Sequence, residues 1–258
     1  MTKQITKQKN SRWGMVIDLD SCYGCGACMV ACSVENNVPP PAPNANARNG
    51  VTPLRVLEAR SGQPWPDAGV AYFPVMCQQC GHHAPCVSVC PQLAVDVDPT
   101  TGVVSQIGER CLGCRYCMVA CPYHARYFNW SDPQWPAGTE QALNPAVAPR
   151  MRGVVEKCTF CHGRYQTAQS KAAAAGSANV DPVDYMPACA EACPTSAIQF
   201  GDLADPTSSM AKAAAGADAF RLLTSLGTEP GVYYRTTRKW VREMAASNAL
   251  TKGNQTHG

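Results

Sequence analysis

The sequence has few of the residues that usually fill a protein core. Leu, Ile, Val and Phe together supply 42 of the 258 residues, about 16%, which is too few for an ordinary aliphatic core in one or two domains. Low aliphatic content with high net charge is typical of disorder, but the formal net charge here is only +3. Cysteine is abundant instead, at 16 residues. We therefore expect cysteine chemistry, rather than aliphatic burial, to organise the fold.

The sequence also lacks long apolar runs and any concentration of positive charge. No stretch approaches ~18 uncharged apolar residues, so we expect no bilayer-spanning helix. Residues 1–12 carry lysines without an apolar segment or twin arginines. This indicates a polar arm rather than a signal peptide, and any export would depend on a partner's signal. Lys and Arg are scattered, which disfavours nucleic acid as a partner.

The sixteen cysteines fall into four groups of four, with none left over. The first and third groups share the spacing CxxCxxCxxxC, and CYGCGACMVAC from Cys22 matches CLGCRYCMVAC from Cys111 at eight of eleven positions. The second and fourth groups share CxxC, a variable insert and CxxxCP. The pattern indicates an internal duplication. The groups are Cys22, Cys25, Cys28, Cys32; Cys77, Cys80, Cys86, Cys90; Cys111, Cys114, Cys117, Cys121; and Cys158, Cys161, Cys189, Cys193.

Three kinds of chemistry compete for these cysteines. Disulfides fit poorly, because cysteines separated by two residues, twice in succession, seldom all find partners with acceptable bridge geometry. Zinc sites use two CxxC pairs and need neither the third nor the fourth cysteine of this run. The run CxxCxxCxxxCP is the bacterial ferredoxin pattern. We therefore interpret all sixteen cysteines as candidate ligands of iron–sulfur clusters.

The spacing has a mechanical reason. Three cysteines at three-residue intervals can wrap a loop around one cubane, while backbone N–H groups point towards its sulfides. A helix that begins near the third cysteine places the fourth one turn along, where it reaches a second cluster. The motifs must therefore pair. Pro91, Pro122 and Pro194 follow the last cysteine of three groups and should end that helical turn or redirect the chain, whereas the first group has Ser33 there.

The segments between the groups predict an α+β fold of ferredoxin type. Residues 13–21 and 103–110 indicate strands, and LAVDVDPTTGVVSQ (93–106) predicts a strand, a turn and a second strand. We expect this hairpin to join the second and third cysteine groups into one compact two-cluster module. The first and fourth groups would then pair with each other around that module. We also predict a helix over 209–226 that ends at Gly227.

Other reactive residues do not form a recognisable catalytic pattern. The sequence has no GxGxxG before a helix, no P-loop and no cysteine left over as a nucleophile. His82, His83 and His162 lie within or beside the cysteine groups, but sixteen thiolates leave no vacancy for them, so we expect loop or packing roles. The chain is predicted to carry electrons rather than to catalyse a reaction itself.

These motifs resemble the four-cluster iron–sulfur subunits that accompany molybdopterin oxidoreductases of the dimethyl sulfoxide reductase and polysulfide reductase family. Within that family the chain is most similar to the iron–sulfur subunits of alternative complex III and of the menaquinone reductase complex of sulfate reducers. The similarity covers nearly the whole chain. It is carried by WGMVIDLDSCYGCGACMVAC (13–32), FPVMCQQC (73–80), APCVSVCP (84–91), RYCMVACPYHARYFNW (115–130), GVVEKCTFC (153–161), ACPTSAIQFGDLADP (192–206) and GTEPGVYY (227–234).

The resemblance implies four ligand sets, each with three cysteines of one group and the last cysteine of another. The outer pair of clusters would be held by Cys22, Cys25, Cys28 and Cys193, and by Cys158, Cys161, Cys189 and Cys32. The inner pair would be held by Cys77, Cys80, Cys86 and Cys121, and by Cys111, Cys114, Cys117 and Cys90.

The implied architecture is a tandem of two bacterial-ferredoxin-like dicluster modules. The outer module would comprise 13–35 plus 154–206, and the inner module 72–130. Loop insertions would occupy 36–71 and 131–153, and 207–258 would be a C-terminal helical extension that packs on the core or on a partner.

Two departures from the family pattern bear on the cofactors. Some relatives replace the second cysteine of the third group and hold a three-iron cluster there, but this chain keeps Cys114. Four [4Fe-4S] clusters are therefore expected, with three [4Fe-4S] and one [3Fe-4S] as the alternative. The insert GHHAP (81–85) is one residue longer than usual, so that loop is expected to bulge beside Cys77. Four oxidised clusters at about −2 each would take the formal charge from +3 to about −5.

The resemblance implies a relay of single electrons between a molybdopterin-family large subunit and an integral membrane quinone-binding subunit, with a multihaem cytochrome c as a further partner. It implies a peripheral membrane complex on the periplasmic face, with the cytoplasmic face as the alternative. Two other functions stay open: a structural zinc-binding scaffold, and the iron–sulfur subunit of a cytoplasmic formate dehydrogenase or hydrogenase-type complex.

Overall fold

The computed structural model describes residues 10–41, 45–46 and 49–247, in which short strands and helices are separated by long turns. Its strands are β1 (Trp13–Asp18), β2 (Leu54–Arg60), β3 (Val70–Met76), β4 (Val95–Val97), β5 (Val104–Gln106), β6 (Tyr127–Phe128), β7 (Val155–Glu156), β8 (Ile198–Asp202), β9 (Ala219–Phe220) and β10 (Val232–Arg235). Its helices are α1 (Ala27–Glu35), α2 (Pro85–Ser88), α3 (Tyr116–Ala120), α4 (His162–Ala174), α5 (Ala188–Glu191), α6 (Ser209–Ala214) and α7 (Lys239–Ala246). This mixture of helices and strands agrees with the α+β prediction.

The largest sheet joins the two ends of the chain. Its strand order is β8-β1-β10-β9, with β1 antiparallel to β8 and parallel to β10. The strand predicted at 13–21 is thus confirmed as β1, an interior strand of this sheet whose residues 13–17 are all buried. Since β1 leads into the first cysteine group and β8 follows the fourth, their pairing brings these two groups together.

A two-stranded hairpin joins the second and third cysteine groups, as the sequence predicts. Val97 of β4 lies opposite Val104 of β5. Asp98 shapes the turn, because its carboxylate accepts hydrogen bonds from the backbone N–H groups of Thr100 and Thr101 at 2.8 and 3.3 Å. A second short pairing, β6 with β7, lies between the third and fourth groups.

The range 36–71 is not only a loop insertion, because it contains β2. This strand pairs with β3 over seven residues, from Leu54 opposite Met76 to Arg60 opposite Val70. The alternation in LRVLEAR is interrupted by Leu57, and a Pro- and Asn-rich stretch precedes it, so the strand pattern is weak in the sequence. The second predicted insertion, 131–153, consists of turns with one 3₁₀ turn at Thr139–Ala142.

The helix predicted over 209–226 is much shorter in the structure. It begins after Ser208, whose hydroxyl accepts a hydrogen bond from the N–H of Ala211 at 3.0 Å, and it ends at Ala214. The described part of the predicted C-terminal extension, 207–247, is also not purely helical, because it adds β9 and β10 to the main sheet. The rest of the predicted extension, 248–258, lies outside the described residues. Val232 and Tyr234 are fully buried, so these strand residues belong to the core.

Aromatic side chains and cysteines together fill the interior. Trp13 stacks on Phe200 with ring centroids 5.5 Å apart, and Tyr185 meets both rings edge-on. Seven of the buried residues are cysteines: Cys28, Cys32, Cys80, Cys86, Cys117, Cys161 and Cys189. All of them except Cys161 belong to the same buried cluster as these aromatic side chains. The sparse aliphatic core expected from composition is thus supplemented by aromatic rings and sulfur.

Within the described ranges, no helix has both the length and the apolar character needed to cross a membrane.

Candidate metal centres

The cysteines line four separate cavities, four to a cavity. We call these cavities sites A to D. Site A is lined by Cys22, Cys25, Cys28 and Cys193; site B by Cys32, Cys158, Cys161 and Cys189; site C by Cys77, Cys80, Cys86 and Cys121; and site D by Cys90, Cys111, Cys114 and Cys117. The structure therefore brings together the same sets of side chains that the resemblance implies, and none of the sixteen cysteines forms a disulfide.

The same backbone turn opens each site. In every group, the residue before the second cysteine is left-handed: Gly24 (φ 77°), Gln79 (φ 49°), Gly113 (φ 75°) and Phe160 (φ 54°). At Gly24 a glycine is also required by space, because a Cβ would lie 2.6 Å from the ring of Tyr72. This turn folds the CxxC segment back so that both of its sulfurs face one cavity.

Helix α1 connects sites A and B. Cys28 and Cys32 lie one helical turn apart and face different cavities, as expected for a fourth cysteine that serves a neighbouring site. Ser33 allows α1 to continue to Glu35. In the third group, α3 stops at Ala120, before Cys121 and its proline, so the predicted helix-ending role of this proline is confirmed.

The insert in the second group folds compactly. Residues 81–83 of GHHAP form one 3₁₀ turn, and Pro85 starts α2 at the first helical position, where a proline is well tolerated. Both flanking cysteines of the insert, Cys80 and Cys86, are buried. The expected bulge is thus absorbed by a turn that keeps both sulfurs at site C.

The sites follow one another in the order A, B, C, D. Helix α1 joins A to B, because Cys28 lines the first and Cys32 the second. Lys157 lines both B and C, and Arg126, which lines C, donates a hydrogen bond to Gln106, which lines D.

Burial keeps most of these thiols protonated. It raises the pKa of Cys28 and Cys117 to about 11 and that of Cys32 and Cys80 to about 12, with neighbouring thiols adding to the effect. Cys193 differs: burial raises its pKa, but hydrogen bonds from Ile198, Thr195 and Ala197 outweigh this and lower it. Metal binding at these sites must therefore displace protons, so it should strengthen as the pH rises.

The donor sets fit a polynuclear group better than one ion. A zinc ion needs its four sulfurs at about 2.3 Å from a single point. In the described part of the chain, no three His, Cys, Asp or Glu side chains are arranged to hold one metal ion. The four cysteines of each site instead line the walls of a pocket.

Buried polar groups point to an anionic occupant. Arg126 lines site C, and its Nε and Nη1 donors are buried without a partner in the described residues. The Nδ2 of Asn36 lies 3.7 Å from the sulfur of Cys32, and the N–H of Ala94 donates to the sulfur of Cys90 at 3.2 Å. Hydrogen bonds of this kind stabilise thiolates and adjust cluster potentials.

The three histidines considered as ligands, His82, His83 and His162, do not line any of the four cavities, in agreement with the roles expected from the sequence. His82 and His83 belong to the exposed 3₁₀ turn, where His83 Nε2 is 3.5 Å from a Glu229 oxygen. His162 begins α4, and burial lowers its pKa. The sequence reasoning missed Lys157 and Arg126, two buried cations beside the cavities, since isolated basic residues give no pattern.

Tandem ferredoxin-like loops around four cysteine-lined cavities in series define an iron–sulfur electron carrier. Three family models, each described as a 4Fe-4S dicluster domain, match residues 21–95, 68–139 and 110–197. Each match spans two consecutive cysteine groups. Together with the sixteen cysteines, these matches fit four [4Fe-4S] clusters.

Whole-chain relatives are also iron–sulfur subunits. The chain is 52% identical to the menaquinone reductase iron-sulfur cluster-binding subunit of Nitratidesulfovibrio vulgaris, over 92% of this chain and 94% of that protein. It is 39% identical to a putative dimethyl sulfoxide reductase iron-sulfur subunit of Halobacterium salinarum, over 87% and 79%. It is 36% identical to the Hdr-like menaquinol oxidoreductase iron-sulfur subunit 1 of Archaeoglobus fulgidus, over 88% and 84%.

The chain therefore belongs to the family of iron–sulfur subunits of multi-subunit oxidoreductases. Its function is electron transfer through iron–sulfur clusters, and it is not a catalytic subunit.

The left-handed turn of site A can be tested with a matched pair of variants. Gly24→Ala introduces a left-handed alanine and a clash with Tyr72, whereas Gly26→Ala at φ 77° meets nothing within 4 Å. We expect Gly26→Ala to cost about 1–2 kcal/mol and Gly24→Ala to cost clearly more. The loss of stability in each variant is measured from the iron bound per chain and from the denaturant concentration at which half of the visible absorbance is lost. Equal behaviour of the two variants would contradict the packing argument.

Proposed function

We propose that the chain relays single electrons through four [4Fe-4S] clusters, one in each of sites A to D, between a peripheral redox subunit and a quinone-reactive membrane subunit. A [4Fe-4S] cluster supplies one-electron redox chemistry when bound. The sixteen cysteines that line the sites are the proposed ligands. The presence of Cys114 in site D favours four-iron clusters throughout, with one [3Fe-4S] cluster as the alternative.

The exposure of the cysteines along the series carries this proposal. Site A has one exposed cysteine, Cys25, and site D has one, Cys114. Sites B and C have none, because their cysteines are buried or half-buried. Electrons can thus enter and leave at the two ends, while the middle sites are shielded from solvent and from other acceptors.

The partners are proposed from the relatives. One relative is named as a part of menaquinone reductase and another as a part of a menaquinol oxidoreductase, which supports a quinone-binding membrane subunit. A molybdopterin-family large subunit is the proposed peripheral partner, supported by the dimethyl sulfoxide reductase relative, and a multihaem cytochrome c is a further one.

We place the complex at the membrane as a peripheral assembly. The periplasmic face, reached with a partner's export signal, is the proposed location, and the cytoplasmic face is the alternative.

Metal analysis combined with a redox titration tests the function. The anaerobically purified protein should contain about sixteen irons and as many acid-labile sulfides per chain, and it should take up electrons in four one-electron steps. A protein rich in zinc, or one with fewer than four reducible clusters, would overturn the relay.

The ligand sets can be tested by the iron content of double variants. Cys193 belongs to site A although Cys161, in the same cysteine group, belongs to site B. Cys193→Ala combined with Cys25→Ala should therefore cost about four irons per chain, the content of one cluster. Cys193→Ala combined with Cys161→Ala should cost about twice as many. The same loss from both pairs would contradict the proposed sets, and each single variant serves as its control.

A further inference from the structure

A buried lysine lies at the boundary between sites B and C. Lys157 is only 7% exposed, and it lines both cavities. Its ammonium group donates to the backbone carbonyls of Val104 and Cys158, the second at 2.9 Å. Both acceptors are neutral, so the positive charge is held in place without being cancelled.

A buried arginine lies at the other boundary of site C. Arg126 is 4% exposed and lines the cavity. Its Nη2 donates at 2.5 Å to Oε1 of Gln106, which lines site D. Nε and Nη1 are buried and have no partner in the described part of the chain. A third cation, Arg55, donates at 3.1 Å to the carbonyl of Tyr123, another residue that lines site C.

The other three sites are less positively charged. Among the described residues, no charged side chain lines site A. Site B has Arg150 besides Lys157, but Arg150 is paired with Glu156. Site D has Arg115, which stacks over Trp130 with its guanidinium carbon 4.9 Å from the ring centroid, and 44% of Trp130 is exposed to water.

Neither Lys157 nor Arg126 has a carboxylate partner in the described residues, since the ion pairs there involve other side chains. A buried cation without a counter-charge is costly. The counter-charge that fits is the net negative charge of clusters in sites B, C and D. Site C is lined by two buried cations that have no carboxylate partner, Lys157 and Arg126. Among the described residues, site B is lined by one such cation, Lys157, and sites A and D by none.

We propose that Lys157 and Arg126 give the cluster at site C the highest reduction potential of the four. The first electron that enters the protein therefore reduces this cluster. This inference rests on the proposed function, because it requires a cluster in every site. Reduction adds one negative charge to a cluster, and a fixed cation in a dry, low-dielectric surrounding stabilises the reduced form. The third site of the series thus holds one electron while a second arrives, which suits partners that exchange electrons in pairs.

Redox titrations of two variants identify site C without prior spectroscopic assignment. Lys157→Gln should lower the potentials of sites B and C, and Arg126→Gln those of sites C and D. The redox couple whose potential shifts in both variants belongs to the cluster at site C. We expect each shift at site C to reach roughly tenfold in the equilibrium constant for reduction, which is about 59 mV for one electron. In the unsubstituted protein, this redox couple must have the highest reduction potential of the four.

Two controls separate charge from structure. Lys157→Arg keeps the charge and should leave the potentials of sites B and C close to those of the unsubstituted protein. Lys171 is exposed on α4 and does not line any of the four sites, so Lys171→Gln removes the same charge and should shift no redox couple. The inference is overturned if no couple moves in both glutamine variants, or if the shared couple is not the highest. Fewer than four redox couples in the unsubstituted protein would instead contradict the proposed relay.

If a glutamine variant loses iron and cannot be titrated, Cys86→Ser identifies the redox couple of site C instead. A serine oxygen at site C either shifts or abolishes that cluster's couple, and both outcomes identify it. The affected couple must be the highest in the unsubstituted protein. If a lower couple is affected, the inference is wrong.

Discussion

The structure depends on sixteen cysteines gathered four at a time in four pockets, an arrangement that is unfavourable until cations enter them. Burial raises the pKa of thiols such as Cys32 and Cys80 to about 12, so without metal these cavities would hold neutral sulfur with few partners. The aliphatic core is too small to compensate for four such cavities. Iron binding therefore contributes free energy of folding directly, as in other small metalloproteins. The same groups that stabilise the fold also conduct the electrons.

Charge is distributed unevenly along the series of sites. None of the described residues that line site A is charged, and the exposed cysteines Cys25 and Cys114 mark the two ends. The buried cations Lys157 and Arg126 instead flank the interior site C. An electron relay needs accessible ends and a shielded middle, and here the middle is also the most positive part. Shielding strengthens the effect of each buried cation, because water that would screen it is excluded.

The sequence predicted the parts that local spacing determines. The CxxCxxCxxxC runs indicated a loop followed by a helix near the third cysteine, and both α1 and α3 begin there; the hairpin of β4 and β5 was also predictable from its turn. The left-handed turns at Gln79 and Phe160 were not, because only a glycine signals that conformation in a sequence. The pairing of β1 with β10 and the position of Lys157 between two sites depend on contacts distant in sequence. Strand β2 was missed because its alternation is short and a Pro-rich stretch precedes it.

The most direct test of this account is the far-ultraviolet circular dichroism of the protein before and after anaerobic removal of its iron by a chelator. If the clusters are the interior scaffold, the helix and sheet signal should be lost together with the iron and should return when iron and sulfide are restored. An unchanged spectrum in a demonstrably iron-free sample would contradict the account.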